Sequence, residues 1–129
     1  MPADFQVHDG LLAVQQRSEG EQVRVAFSGE MDLANAETAG LTLRDALSSG
    51  KDVVVDLARL EFLDSTGVAM LVDAMRQGGK RLRFLPSQHA AVTRLLSLTG
   101  LDERMHLMPV AAVNLSADDA GADSLVSAA

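Results

Sequence analysis

The chain has 129 residues, of which 47% are hydrophobic and 22% charged, a composition typical of one globular domain and too apolar for a disordered chain. It contains no cysteine, which excludes disulfides, thiolate metal sites and cysteine nucleophiles. The formal net charge of -7 argues against nucleic-acid binding, because phosphate backbones are held by clustered Lys and Arg. The expected partners are therefore proteins.

Neither a leader nor a membrane segment is predicted. The segment Met1 to Phe5 lacks the basic and apolar regions of a signal peptide. The longest apolar run, Val68 to Val72, is far shorter than the roughly 20 residues that a membrane helix needs. We therefore expect a cytoplasmic protein with no membrane contact.

Five segments are predicted to be strands from their β-branched residues or alternating polarity. The stronger ones are Leu11 to Gln15, Gln22 to Phe27 and Val53 to Leu57, and the weaker ones are Arg81 to Leu85 and Met105 to Met108. A polar stretch that contains a glycine, Ser18 to Glu21, separates the first two as a hairpin loop would. The sheet is therefore predicted to begin with an antiparallel pair.

Three helices are predicted between and after the later strands. In the first, Ala34 to Leu47, apolar residues recur at steps of three and four positions, and Gly50 follows where helices commonly end. The second, Val68 to Met75, is apolar at nearly every position, so we expect it to be buried on most sides. The third is Gln88 to Leu98, which is expected to stop at Gly100.

The order of these elements is two opening strands followed by alternating strands and helices. This order predicts a single α/β domain with a mixed β-sheet that opens with antiparallel strands and has helices packed against it. We expect the domain to span residues 1–109. Residues 110–129 are rich in Ala, Ser and Asp and contain no base, so an acidic tail or a weak terminal helix is expected there.

The most informative junction follows the predicted strand Val53 to Leu57. We expect this strand to end at Leu57, a short polar link to follow, and Phe62 and Leu63 to return to the core. The next four residues, Asp64-Ser65-Thr66-Gly67, open the second helix. Ser65 is therefore predicted to lie at a helix N-terminus.

Two roles are open for the polar residues at this N-terminus. A serine there can carry a phosphate, because free backbone amides and the positive end of the helix dipole lie close by, and Gly67 is expected to leave room for the entering group. Alternatively, Asp64, Ser65 or Thr66 caps the helix, which is the commonest role of these residue types at such a position. The local pattern does not distinguish the two roles.

A second junction, Gly29-Glu30-Met31-Asp32, lies between the strand Gln22 to Phe27 and the first helix. Taken alone, it is predicted to be a loop in which Gly29 permits a tight turn and Asp32 caps the helix. If the strands before the two junctions are neighbours, both junctions lie on one rim of the sheet. We expect that rim, with Asp32 and Ser65 on the same face, to be a recognition surface.

These motifs together resemble the STAS domains of bacterial anti-sigma-factor antagonists. The resemblance covers roughly Phe5 to Pro109, and two positions depart from the usual pattern: Met31 replaces a more usual aliphatic residue, and Thr66 adds a second hydroxyl. The motifs that carry it, in the order typical of the family, are Gly29-Glu30-Met31-Asp32, Asp64-Ser65-Thr66-Gly67, Gly78-Gly79-Lys80 and Leu95-Leu96-Ser97-Leu98-Thr99-Gly100-Leu101.

The resemblance implies a binding protein that is switched by phosphorylation. In the family, the serine that matches Ser65 is phosphorylated by the anti-sigma factor itself, an ATP-using serine kinase with a histidine-kinase-like ATPase fold, and a serine phosphatase resets the switch. The unphosphorylated antagonist binds that kinase and frees the sigma factor, whereas the phosphorylated antagonist is released. The implied function is regulation of transcription in a stress response by partner switching.

The resemblance also implies which residues form the site. Ser65 is the implied phosphorylation site, with Thr66 as the second choice. It implies no catalytic residue, no metal ligand and no cofactor. The implied partner-binding residues are Gly29, Glu30, Asp32, Asp64, Ser65, Thr66 and Gly67.

Other functions fit the residues less well. An enzyme is not expected, because the chain has no Gly-x-Ser-x-Gly elbow or phosphate-binding loop, and His8, His89 and His106 are scattered without ligand spacing. A phospho-aspartate receiver would use Asp56, but the acidic pair that would hold magnesium after the first strand is missing. A STAS relative that is not phosphorylated, and serves as a scaffold or ligand-binding module, is an alternative that the sequence leaves open.

Overall fold

A computed structural model describes residues 4–108 of the chain. The predicted tail at residues 110–129, and the domain end predicted at residue 109, lie outside the described residues. Short 3₁₀ turns occur at Gly79–Arg81 and Leu101–Glu103. The helices and strands, in chain order, are β1 (Phe5–Asp9), β2 (Leu12–Glu19), β3 (Gln22–Met31), α1 (Ala36–Ser48), β4 (Asp52–Leu63), α2 (Ser65–Gly78), β5 (Leu82–Leu85) and α3 (Ala90–Leu98).

The five strands form one mixed sheet in the order β1-β2-β3-β4-β5. Strand β2 is antiparallel to both of its neighbours, β1 and β3, whereas β3, β4 and β5 run parallel to one another. The predicted α/β architecture with an antiparallel opening is confirmed. The hairpin between β2 and β3 turns on Gly20 and Glu21 alone, and Gly20 has a φ of 63°, a conformation that favours glycine in such a tight turn.

The two ends of the sheet differ from the prediction. Strand β1 is absent from the predicted elements, because it is a short, largely exposed edge strand in which only Phe5 and Val7 alternate with polar residues. That alternation is the signal that could have identified it. The predicted strand Met105 to Met108 is instead a single bridge between Leu107 and Phe84.

The main core lies between the helices and one face of the sheet, where alternate residues of β2, β3 and β4 are buried. The opposite face carries a smaller buried cluster, Val54, Ala58 and Leu85, and an ion pair between Arg24 and Asp56 with an N–O distance of 3.4 Å. Buried residues of the main core include Val23, Val25, Phe27, Val53, Val55, Leu57, Leu43, Leu71, Val92 and Leu96. No helix among residues 4–108 is long and apolar enough to cross a membrane.

Helix α2 is amphipathic, so the expectation that it is buried on most sides is wrong. Its buried residues are Gly67, Leu71, Ala74 and Gly78, whose spacing of three and four positions marks a single face. Val68, Met70, Val72 and Met75 are only partly buried against the core, and Ala69 is exposed. The small buried residues Gly67, Ala74 and Gly78 let α2 lie close to its neighbours. The opposite face of the helix is exposed to solvent.

Strand β4 continues to Leu63 and does not end at Leu57 as predicted. Its pairing with β3 is irregular at two points, and at the second Gly29 pairs with Leu60 while Glu30 pairs with Phe62. This extra residue shifts the alternation of side chains by one position. Leu63 is consequently buried, whereas Phe62 is 43% exposed and does not return to the core.

Asp56 lies within β4 and has structural contacts. Its carboxylate pairs with Arg24 and accepts a hydrogen bond from the Ala58 backbone N–H at 2.9 Å. A phospho-acceptor of the receiver type would need an accessible carboxylate at the end of its strand. The position of Asp56 therefore does not fit a receiver.

A first test concerns Gly67, which is buried on the inner face of α2. A Cβ atom there would lie 2.3 Å from Leu63 Cδ1 and 3.1 Å from Met31 Sδ, and both side chains are packed in the core. Gly67→Ala is therefore expected to lower the free energy of unfolding by about 1–3 kcal/mol, the usual cost of overpacking. Urea denaturation measures this difference.

Gly40→Ala in α1 is the matched control. Its Cβ would meet only the flexible Met70 side chain, at 3.2 Å, and alanine is favoured over glycine inside a helix. The control is expected to lose little or no stability. Equal losses in the two variants would contradict the packing explanation for Gly67.

Candidate functional site

The two junctions predicted to share a rim meet at the ends of β3 and β4. These strands are parallel and remain paired up to Met31 and Leu63, and the Asp64 backbone N–H donates to the Met31 carbonyl at 3.2 Å. The next residues along each strand, Asp32 and Asp64, therefore emerge at the same edge of the sheet. The structure brings the two motifs together on one side.

Asp64 caps helix α2. Its Oδ1 atom accepts hydrogen bonds from the backbone N–H groups of Thr66 at 3.0 Å and Gly67 at 3.1 Å. The Thr66 hydroxyl donates to the same oxygen at 2.5 Å. Of the three residues that could have capped the helix, Asp64 has this role, so the Ser65 hydroxyl is not needed for it.

These contacts hold the pKa of the Asp64 carboxyl below its usual range. The largest cause is the hydrogen bond from the Thr66 hydroxyl, and smaller ones are the backbone N–H groups of Gly67, Thr66 and Leu33, while partial burial acts in the opposite direction. The Leu33 contact joins the β3–α1 loop to the start of α2. Asp64 therefore carries a negative charge at neutral pH and links both junctions.

Ser65 is the first residue of α2, and its side chain is exposed. Within residues 4–108 its hydroxyl has no hydrogen-bond partner, whereas the hydroxyl of Thr66, the second-choice acceptor, is held by Asp64. The expectation that free helix amides surround Ser65 is wrong in part, because Asp64 occupies the amides of Thr66 and Gly67. A group added to Ser65 would lie beside a carboxylate.

Gly29 and Gly67, the glycines of the two junctions, have structural roles that differ from the predicted ones. Gly67 does not leave space for an entering group, since that space is filled by Leu63 and Met31. Gly29 lies within β3 and not in a loop. It has a φ of 94°, and a Cβ there would lie 2.1 Å from the Leu11 carbonyl oxygen, which accepts a hydrogen bond from the Glu30 N–H at 3.0 Å.

Asp32 caps a turn and not helix α1 itself. Its Oδ1 atom accepts from the Ala34 N–H at 3.0 Å, and α1 begins only at Ala36, two residues later than predicted. The half-buried carboxylate lies beyond the end of β3. Neither Asp32 nor Asp64 forms an ion pair with a cation among residues 4–108.

Asn35 organises this loop, and the sequence reasoning missed it. Its fully buried amide accepts from the Asp32 N–H at 3.0 Å and donates to the carbonyls of Glu30 at 3.0 Å and Asp9 at 3.2 Å. These bonds tie the end of β1 to the β3–α1 loop. An asparagine before a helix is typical of a cap, and nothing in the sequence indicates that this one is enclosed.

Two exposed leucines complete the site and were also missed. Leu11 is 66% exposed and Leu33 is 77% exposed, and both adjoin the carboxylate-bearing junctions through the backbone bonds described above. We use "the rim" for Leu11, Glu30, Asp32, Leu33, Asp64 and Ser65. Exposed apolar side chains beside charged groups are typical of a surface that binds another protein.

The rim presents an exposed surface that includes the Ser65 hydroxyl. The described residues include no group of three or more His, Asp or Glu side chains placed to hold a metal ion. His8, His89 and His106 are all exposed. The arrangement is suited to recognition by another protein.

Comparison with known proteins gives consistent results. The family model described as "Mlab, STAS domain" matches residues 14–109. The fold is similar to the crystal structure of an anti-sigma factor antagonist from Mycobacterium paratuberculosis, with a TM-score of 0.71 and 26% identity over 82% of this chain and 92% of that one.

Two further solved structures share the fold at lower identity. One is the anti-sigma factor antagonist SpoIIAA in its unphosphorylated form, with a TM-score of 0.63 and 20% identity over 82% of this chain and 96% of that one. The other is the Bacillus cell fate determinant SpoIIAA in the phosphorylated form, with a TM-score of 0.56 and 21% identity over 81% of this chain and 98% of that one.

Replacing Asp64 tests its role as the cap. Asp64→Ala is expected to lower the free energy of unfolding by about 1 kcal/mol, because the first-turn amides of α2 lose their acceptor. Asp64→Asn keeps a capping oxygen, so its loss should be smaller at neutral pH. Denaturation of the exposed Asp45→Asn variant gives the background effect of removing one surface charge.

The same variants test the electrostatics of the site. Because the pKa of folded Asp64 is lowered relative to about 3.9 in an unfolded chain, its ionised form stabilises the fold above that pH. This stabilisation is lost as the pH falls through the folded-state pKa. The stability difference between the parent chain and Asp64→Asn should therefore shrink in acid, and a difference independent of pH would contradict the assignment.

Proposed function

The chain belongs to the STAS domain family, and on that premise we propose that it is an anti-sigma-factor antagonist controlled by phosphorylation of Ser65. In the unphosphorylated state it binds an anti-sigma-factor serine kinase through the rim and thereby frees a sigma factor. Phosphorylation by that ATP-using kinase releases it, and a serine phosphatase restores the binding form. The general role is supported by a structural neighbour that is itself an anti-sigma factor antagonist.

The observation that carries this proposal is the state of the Ser65 hydroxyl. It is exposed at the first position of α2 and free of hydrogen bonds within residues 4–108, while Asp64 satisfies the helix end. A kinase can therefore reach the hydroxyl, and adding a phosphate breaks no contact of the fold. Thr66 is a poorer acceptor because modifying it would remove its bond to Asp64.

The charges of the rim explain how phosphate would release the partner. A phosphate adds about -1.5 to -2 charges next to the ionised Asp64 and near Asp32, with no cation paired to either carboxylate among the described residues. A partner surface shaped for a neutral hydroxyl cannot compensate for the desolvation of this charge. A penalty of about 3 kcal/mol already weakens binding roughly a hundredfold, without any refolding.

The rest of the rim provides the binding energy in this proposal. Leu11 and Leu33 offer exposed apolar surface, and Glu30, Asp32 and Asp64 provide negative charge for steering. Gly29 and Gly67 act indirectly, since they allow the backbone to pack so that these side chains stand at one edge. The partner should present an apolar patch flanked by basic groups. Cytoplasmic location and a stress response belong to the same proposal.

Substitutions at Ser65 separate binding from its control. Ser65→Ala should bind the cognate kinase with nearly unchanged affinity and take up no phosphate, because the hydroxyl has no structural bond to lose. Ser65→Glu should bind more weakly, though less so than the phosphorylated protein, since glutamate adds only one charge. Calorimetric affinities under one nucleotide condition, and intact mass after incubation with ATP and the kinase, measure these effects.

Thr66→Ala is the control for the acceptor. It should still be phosphorylated at residue 65, with a modest loss of stability from the weakened cap. Stoichiometric phosphate on Ser65→Ala would move the acceptor to Thr66. If phosphate on either residue leaves the affinity unchanged, the switch is wrong and the chain functions as a constitutive scaffold or ligand-binding module.

The contribution of the exposed leucines can be tested separately. Leu33→Ala should weaken kinase binding by roughly 1–3 kcal/mol if the leucine is enclosed by the partner, as expected for a central apolar contact. Leu98→Ala, at the end of α3, is the matched control because Leu98 is 78% exposed and lies outside the rim. Equal effects of the two variants on calorimetric affinity would exclude the rim as the docking surface.

A further inference from the structure

A cavity of about 230 Å³ lies at the end of α2 opposite Ser65. Helix α2 has 14 residues, so at 1.5 Å per residue its two ends are about 21 Å apart, and the cavity is distinct from the rim. The apolar residues Leu82, Phe84 and Leu101 contribute to its wall, and all three are nearly fully buried. Its polar lining comes from Arg76, Arg104 and His106.

The charges of this cavity contrast with those of the whole chain. The net charge of the protein is -7, yet no carboxylate of the described residues lines the cavity. Within residues 4–108, the guanidinium groups of Arg76 and Arg104 form neither an ion pair nor a hydrogen bond. Some other arginines are engaged: Arg24 pairs with Glu19 and Asp56, and Arg81 donates to backbone carbonyls.

We propose that this cavity binds a small organic anion that has an apolar body, with a carboxylate or a phosphate as its head group. Two guanidinium groups at the edge provide forked donors that match either head group. An apolar cavity of about 150 Å³ is large enough for benzene, so the volume here accommodates a ring and its head group. Its volume lies below the usual range of pockets for drug-sized ligands.

The test uses the full chain labelled with nitrogen-15 and titrated with benzoate. Saturable shifts are expected at the backbone amides of Gly79, Leu82 and Phe84. Benzamide has the same ring but no charge, and acetate has the charge but no ring, so each should bind at least about tenfold more weakly. Phenyl phosphate identifies the preferred head group, and tighter binding of either anion supports the proposal.

Charge-removing variants locate the binding groups. Arg76→Gln and Arg104→Gln should each weaken benzoate binding about tenfold or more, whereas Arg94→Gln, on the exposed surface of α3, should leave it unchanged. Unfolding curves for the three variants exclude a general loss of structure. The proposal is overturned if benzoate gives no saturable shift, if benzamide binds as well, or if Arg94→Gln has the same effect as the other two. None of these measurements depends on the kinase or on Ser65.

Discussion

The parallel pairing of β3 with β4 is the constraint on which the site depends. Because the two strands run in the same direction and stay paired up to Met31 and Leu63, their following loops must start at one edge of the sheet. The bond from the Asp64 N–H to the Met31 carbonyl closes this pairing at its last position. Without this pairing, Asp32 and Ser65 would not be held at the same edge of the sheet. Gly67 packs closely against the last residues of both strands, Met31 and Leu63.

One carboxylate then connects the fold to the proposed switch. The Asp64 carboxylate accepts hydrogen bonds from the first-turn amides of α2, the Thr66 hydroxyl and the Leu33 N–H, and these bonds favour its ionised form. The same contacts leave the Ser65 hydroxyl exposed and unengaged within the described part of the chain. Charge added to Ser65 would therefore change the interaction with a bound partner and leave the packing of the core unchanged. A switch of this kind acts through electrostatics and desolvation at an otherwise unchanged surface.

Helix α2 has two ends with opposite chemistry. Its N-terminus adjoins the carboxylates of the rim, and its C-terminal half lines the cavity that carries Arg76 and Arg104. The small residues on its inner face, among them Gly67 and Gly78, allow close contact with neighbouring core side chains. The proposed anion site and the proposed switch therefore share one helix, although each can be tested alone.

The sequence by itself determined the α/β order, the antiparallel opening and the position of Ser65 at a helix N-terminus, because periodicity and turn residues are local signals. Other features depended on contacts between distant segments. The length of β4 and the exposure of Phe62 follow from irregular pairing with β3, and the burial of Asn35 follows from its contacts with Asp9 and Glu30. The role of cap was also decided only by the structure, because Asp64, Ser65 and Thr66 have similar local preferences for it. The hydrogen bonds show that Asp64 is the cap and that the Ser65 hydroxyl has no partner among the described residues.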